Sequence, residues 1–228
     1  MTEKNTQGRL RLYLIRHGEV EGVALGKLLG RTDTPLSERG LEQSRQLAEI
    51  LSASQLSAVY SSDLERARMT AETIAKQSEL QIQESAAWRE IDMGEWEGRT
   101  FAALYEEAPS LVAQLFNDPA SFAYPHGESF RVFTARVRGA LDQLLTTHNS
   151  SNVALIAHGG VCRVIIGDVL GIPTQNWLRL AQDYGCLNVI DWYDRNPIVK
   201  LLNGVANARS EYTFEEKGFR PRREGSGE

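Results

Sequence analysis

Two short apolar runs in this 228-residue chain each end in a histidine followed by glycine. Leu12-Tyr13-Leu14-Ile15 leads into Arg16-His17-Gly18, and Asn152 to Ala157 leads into His158-Gly159-Gly160. Arginine offers a planar fork of donors matched to phosphate oxygens. A neutral imidazole nitrogen can attack phosphorus, and glycine lets a ligand approach the backbone closely. A lone histidine closing a strand is ordinarily structural; the same signature written twice points to one site built from two segments. Arg16, Gly18 and Gly159 are thus candidate anion contacts, and His17 and His158 candidate reactive groups.

Two further segments carry chemistry. In Tyr60-Ser61-Ser62-Asp63-Leu64-Glu65-Arg66-Ala67, Ser62 or Asp63 can cap a helix whose buried stripe is Leu64, Ala67, Ala71 and Ile74. Arg66 falls off that stripe in the first turn. It is either a solvated arginine like Arg68 or an anion contact acting with the unpaired N–H groups of the helix start. The segment from Trp88 to Gly98 mixes aromatics, glycines and four acids, Glu90, Asp92, Glu95 and Glu97. Aromatic neighbours raise a carboxyl pKa and suit it to general acid catalysis, but spacing does not choose among the four.

Periodicity supplies the elements that must hold these residues. Strands are expected at 10–16, 57–61, 152–157, 186–193 and 197–202. Helices are expected at 37–53, 64–78, 100–107, 110–117, 128–147, 160–170 and 174–182. The clearest carries Phe130, Phe133, Val137, Leu141 and Leu144 on one stripe. Strands separated by helices predict an α/β three-layer sandwich, a mostly parallel central sheet with helices on both faces. The last two strands read as an edge hairpin turning near Asp194-Arg195-Asn196-Pro197. Residues 95–127, with Pro109, Pro119 and Pro125, are expected to form a helical insertion over the pocket.

The ordered set Arg16-His17-Gly18-Glu19, Pro35-Leu36-Ser37-Glu38-Arg39-Gly40, Ser61 to Ala67, Glu90 with Gly94 and Glu97-Gly98, Pro125 with Gly127-Glu128-Ser129, and His158-Gly159-Gly160 resembles the histidine phosphatase superfamily. That family holds the cofactor-dependent phosphoglycerate mutases and their phosphatase relatives. The resemblance implies that His17 forms a phosphohistidine, that Arg16, Arg66 and His158 surround the phosphoryl group, and that Glu90 is the proton donor. No cofactor and no metal are expected. Phosphoryl transfer needs in-line placement and neutralised oxygens, which two arginines and a second imidazole can supply.

This chain departs from the family pattern at Val20 and Val23, where polar substrate contacts commonly stand. Gly30, Arg31 and Thr34 in the glycine-rich segment that follows are candidates to replace them. After Glu90 comes Ile91-Asp92-Met93-Gly94-Glu95, whose acids would repel a second phosphate and so favour a phosphatase over a mutase. Within the phosphatases, the Arg-His-Gly-Glu-Val-Glu-Gly start and Tyr124-Pro125-His126-Gly127-Glu128-Ser129 resemble the α-ribazole phosphatases, which places α-ribazole 5′-phosphate first among small phosphomonoester substrates. The alternatives are a phosphoglycerate mutase and a non-catalytic protein that binds a phosphorylated ligand.

Composition agrees with a single domain. The length and 42% hydrophobic content suffice for one core, over residues 10–210. Residues 1–9 read as a leading tail and 211–228, polar and glycine-rich, as a disordered one. A net charge of −5 gives no basic surface for nucleic acid. No apolar run is long enough to span a membrane and no secretory segment opens the chain, so a cytoplasmic protein is expected. Cys162 and Cys186 suggest no disulfide framework, and Cys162 with His158 lacks the further ligands of a metal site. The sequence assigns no oligomeric state.

Overall fold

The computed structural model describes residues 8–22, 26–194 and 196–205. Val23, the first seven residues of the leading tail and the expected disordered tail at 211–228 lie outside the described residues. Six strands form one sheet: β1 (Arg9–Arg16), β2 (Ala58–Ser61), β3 (Ile82–Glu84), β4 (Asn152–Ala157), β5 (Leu187–Tyr193) and β6 (Asn196–Gly204), in the order β3-β2-β4-β1-β5-β6. The pairs β3–β2, β2–β4 and β4–β1 are parallel; only the pairs made by β5 are antiparallel. The expected mostly parallel sheet is therefore present, and β5–β6 is the edge hairpin, with Pro197 on the outermost strand where a missing N–H costs least.

The apolar runs read as strands because both faces of the sheet are covered. Along β1, Leu10, Leu12 and Leu14 enter one core while Tyr13 and Ile15 enter the other. The second core is closed by helices α1 (Glu38–Leu51) and α2 (Glu65–Ser78), through Leu47, Leu51, Ala67, Ala71 and Ile74. The first is closed by α5 (Phe130–Thr147) and α6 (Gly159–Val169), through Phe133, Val137, Val161 and Ile165. Between these, α3 (Phe101–Glu107), α4 (Pro109–Asn117) and the turns Gly94–Trp96 and Pro119–Ser121 form the expected helical insertion, whose Phe101, Leu115 and Tyr124 line a cavity.

Three expectations are corrected. The helix expected at 174–182 is a short 3-10 segment, Thr174–Arg179, with no side-chain cap and with Trp177 buried beneath it. β3 was not expected, because three residues are too few to show a period of two. Neither Ser62 nor Asp63 serves as the N-cap of α2, which is Leu64. Asp63 instead forms a two-pronged pair with Arg89, at 2.7 and 2.6 Å, and Asp33 Oδ1 accepts the Glu65 N–H at 2.8 Å.

The β1–β4 register has the greatest consequence for function. Arg16 lies opposite Ala157, so the residues that follow, His17 and His158, leave the sheet side by side. The His17 N–H donates to the Ala157 carbonyl at 3.0 Å, and Gly185 N–H donates to the His17 carbonyl at 2.9 Å. Ser61 at the end of β2 pairs with Ile156, which brings the start of α2 and Arg66 to the same edge. Open α/β sheets present ligands there, beyond the carboxyl ends of parallel strands.

Candidate active site

His17 and His158 are both buried, with ring centroids 5.0 Å apart in an edge-on arrangement. The tautomer of His17 follows from its partners. Gly18 O, which can only accept, lies 2.8 Å from Nδ1, so Nδ1 bears the proton. Arg66 Nε, which can only donate, lies 3.2 Å from Nε2, so Nε2 carries the lone pair. Burial, then the charges of Arg66 and Arg16, push the His17 pKa well below its ordinary value, against the opposing pull of the Gly18 carbonyl. Burial and the same arginines hold His158 down likewise.

Arg66 is not a solvated arginine: it is 1% exposed. Its terminal nitrogens donate to the carbonyls of Thr32 at 2.8 Å and Gly30 at 2.6 Å, which aims Nε at His17. The loop offering those carbonyls is organised by Glu97, whose carboxylate accepts the N–H groups of Gly30, Arg31 and Thr32 and the Thr32 hydroxyl. Burial alone would raise the Glu97 carboxyl pKa, but the N–H donors of Arg31 and Gly30 and the Thr32 hydroxyl outweigh it and hold the group below its usual range. Gly30 thus braces Arg66 and Arg31 is held by Glu97; neither lines the cavity. The Arg31 guanidinium is engaged by Asp92 at 3.2 Å and Glu128 at 3.4 Å.

The four acids separate once their surroundings are known. Asp92 pairs with Arg31, Glu95 lies at the surface beside His126, and Glu97 holds the loop. Glu90 alone of the four lines the cavity, 7% exposed, with Oε1 accepting Ile91 N–H at 2.9 Å and Oε2 accepting Gly160 N–H at 2.8 Å. A side chain on Gly160 would collide with this carboxylate, its Cβ falling 2.1 Å from Oε1. Asp92 and Glu95 are not among the residues that line the cavity, so the acidic stretch after Glu90 adds no carboxylate to its wall.

Arg16 stacks over the Tyr184 ring, 3.7 Å from its centroid, and donates to the Gln182 carbonyl. Among the described residues, Arg16 Nε and both ring nitrogens of His158 are buried without a hydrogen-bond partner. Leaving such a group unpaired costs about 1–3 kcal/mol, and an anionic oxygen would relieve it at Arg16 Nε and at whichever ring nitrogen of His158 bears the proton. Gly18 plays another part than expected. Its N–H donates to Thr70 Oγ1, and a Cβ there would lie 2.5 Å from Gly40 O, so its missing side chain admits helix α1 rather than a ligand.

The cavity measures about 310 Å³ and combines Arg16, His17, Glu90, Gly159 and Gly160 with a wall of Leu28, Ile91, Phe130, Phe133 and Trp177. Arg163 and Tyr184 also line it, and the sequence reading missed both. Arg163 stands four residues after Gly159 and so shares its helical face, a signal that was available; Tyr184 carries no local signal. Arg136, also missed, holds the Glu90 loop through the carbonyls of Ala87 and Arg89 at 2.9 and 3.0 Å and pairs with the Glu128 carboxylate at 2.8 Å. Among the described residues no group of three His, Cys, Asp or Glu side chains could hold a metal ion, and no helix is long and apolar enough to cross a membrane.

The buried neutral imidazoles make stability depend on pH. The unfolded chain protonates them near their ordinary pKa while the folded chain does not, so the fold loses stability as pH falls below about 6.5, by up to about 1.4 kcal/mol per pH unit for each ring. Denaturant midpoints are expected to fall between pH 7.5 and 5.5. In a nitrogen-15 titration these two rings are expected to remain neutral through pH 6.5; a ring titrating at its ordinary value would contradict the burial argument.

A six-stranded α/β sheet with two adjacent histidines at its carboxyl edge defines the class. Residues 12–204 match the model of the histidine phosphatase superfamily (branch 1), and the chain belongs to that family. Among curated relatives it is similar to the adenosylcobalamin/alpha-ribazole phosphatase of Escherichia coli, with 31% identity over 87% of this chain and all of that one. It is also similar to a protein of Citrobacter koseri named probable phosphoglycerate mutase GpmB, with 33% identity over 81% of this chain and 86% of that one. Among solved structures it resembles the alpha-ribazole phosphatase from Shigella flexneri, with a TM-score of 0.77, 30% identity, and coverage of 85% of this chain and 96% of that one. The protein is a phosphatase of this superfamily.

Proposed function

We propose that the protein hydrolyses small phosphomonoesters through a phosphohistidine on His17, without a metal ion. The observation that carries this reading is the tautomer of His17: Gly18 O takes the Nδ1 proton and leaves the lone pair on Nε2, beside Arg66. A phosphoryl oxygen arriving at Arg66 takes over its Nε–H and frees that lone pair for in-line attack on phosphorus. Arg16 and Arg66 neutralise the oxygens, His158 donates a hydrogen bond from its neutral ring, and Gly159 closes the pocket beside Arg16. As the P–O bond breaks, Glu90 gives its proton to the leaving oxygen. It then takes a proton from the water that attacks the phosphohistidine, releasing inorganic phosphate and restoring His17.

The apolar and aromatic wall of the cavity suits an aromatic leaving group. Together with the names of the relatives, it supports α-ribazole 5′-phosphate as the first candidate substrate. A mutase reading is supported by the similarity to GpmB, and it requires isomerisation rather than phosphate release. The test is a panel of α-ribazole 5′-phosphate, 3-phosphoglycerate, sugar phosphates and phenyl phosphate with excess chelator. Phosphate release that survives the chelator, with an acid-labile label on the protein, is the expected outcome. Isomerisation of 3-phosphoglycerate primed by 2,3-bisphosphoglycerate would establish the mutase, and no turnover at all would leave a binding protein.

A further inference from the structure

The residues just before β5, Gln182 to Gly185, are each fastened by a different partner. The Gln182 side chain exchanges hydrogen bonds with the buried Asn188 amide, at 2.8 and 3.2 Å. Asp183 N–H donates to the Asn203 side chain, which donates back to the Asp183 carboxylate, both at 2.8 Å. The Tyr184 carbonyl accepts from Gln43 Nε2 at 3.0 Å, and Gln43 Oε1 accepts the Glu19 N–H at 2.8 Å. Gly185 N–H donates to the carbonyl of His17 itself. This glycine turns the chain at a φ of +68°, and a Cβ on it would fall 2.9 Å from Gln43. What the platform carries into the cavity is the Tyr184 ring, 3.7 Å beneath the Arg16 guanidinium and 5.5 Å from the His17 ring.

We propose that Tyr184 is a positioning residue for phosphoryl transfer: its ring fixes the plane of the Arg16 guanidinium and so aims the Nε–H at the phosphoryl group. The Gln182 carbonyl takes Arg16 Nη1, which leaves the guanidinium edge that bears Nε for an anion. Nε is the nitrogen that is buried without a partner. A long side chain free to rotate would lose that aim, whereas a cation resting on an aromatic face away from water is held by it. The platform is pinned to the His17 backbone, so nucleophile and cation keep one relative placement before substrate arrives. Tyr184 acts through Arg16, not through its hydroxyl. This inference rests on the phosphatase reading of the site and gives a part to a residue that the reaction scheme leaves without one.

The test reads the Kd of vanadate by calorimetry in the wild-type protein, Tyr184→Phe, Tyr184→Leu, Arg16→Gln and the variant carrying both Arg16→Gln and Tyr184→Leu. Tyr184→Leu is expected to weaken vanadate binding by ~10-fold, and to lower kcat/KM for phenyl phosphate by at least that factor. Tyr184→Phe keeps the ring and is expected to stay within ~3-fold of the wild type on both measures. With Arg16→Gln already in place, Tyr184→Leu is expected to cost less than ~2-fold, because the ring then has no guanidinium to hold. Unfolded protein lowers the stoichiometry of binding and leaves the Kd of the folded fraction in place, so a merely destabilised variant shows no loss. An equal loss in both backgrounds, a Tyr184→Phe loss as large as that of Tyr184→Leu, or no loss in Tyr184→Leu overturns the proposal. Failure of the wild-type protein to hydrolyse phenyl phosphate would instead remove the phosphatase reading, while the vanadate series would still decide whether Tyr184 holds Arg16.

Discussion

Replacing His17 with alanine is expected to lower phosphate release by at least ~10⁴-fold on every substrate, since loss of a covalent nucleophile removes the reaction path rather than one contact along it. The neighbouring groups cannot substitute. His158 is buried with its ring centroid 5.0 Å from that of His17, and the proposed mechanism gives it the part of a phosphoryl contact. Arg66 stays protonated even though burial lowers its pKa, and so offers no lone pair. The same substitution should abolish the acid-labile phosphoprotein while leaving the binding of vanadate or inorganic phosphate measurable, because Arg16, Arg66 and His158 remain. Circular dichroism would confirm that the sheet has formed. Turnover within ~10-fold of the wild type would refute the phosphohistidine path.

Glu90→Gln should divide substrates by leaving group. An alkoxide must be protonated as it leaves, whereas a nitrophenolate leaves unaided, so alkyl phosphates are expected to lose ~10²–10⁴-fold and p-nitrophenyl phosphate far less. Glutamine is not a silent replacement here. Glu90 accepts two backbone N–H groups, and an amide can accept only one of them while its NH₂ faces the other donor. Some loss common to all substrates is therefore expected, and the informative quantity is the ratio of alkyl to aryl kcat/KM across wild type and variant. Equal losses on both classes would mean that Glu90 supports the loop and that the proton comes from elsewhere.

Much of this is legible in the sequence itself. The apolar runs of β1 and β4, buried on both faces, are short and bounded by turn residues, and each ends in its histidine within the chain itself. The stripe of α5 follows the helical period closely enough that Phe133, Val137, Leu141 and Leu144 are all buried. The Thr174–Arg179 segment departs from the expected helix because an apolar spacing over a few residues suits a 3-10 turn as well as a helix. Arg66 stayed ambiguous for a different reason. Its neighbours on α2 say only that it is off the stripe, while its burial comes from the carbonyls of Gly30 and Thr32 in a distant loop.

The choice among Glu90, Asp92, Glu95 and Glu97 shows the same limit. All four lie within one irregular segment, and their roles are assigned by Arg31, His126, the loop amides and Gly160, none of which is adjacent in sequence. Local pattern thus determined the sheet, its covering helices and the residue types that meet a phosphoryl group, because hydrophobic period and turn chemistry act over a few residues. Which acid reaches the cavity and which arginine is buried against His17 were decided by tertiary structure. Those outcomes depend on the strand register that sets Arg16 beside Ala157 and on contacts between segments far apart in the chain.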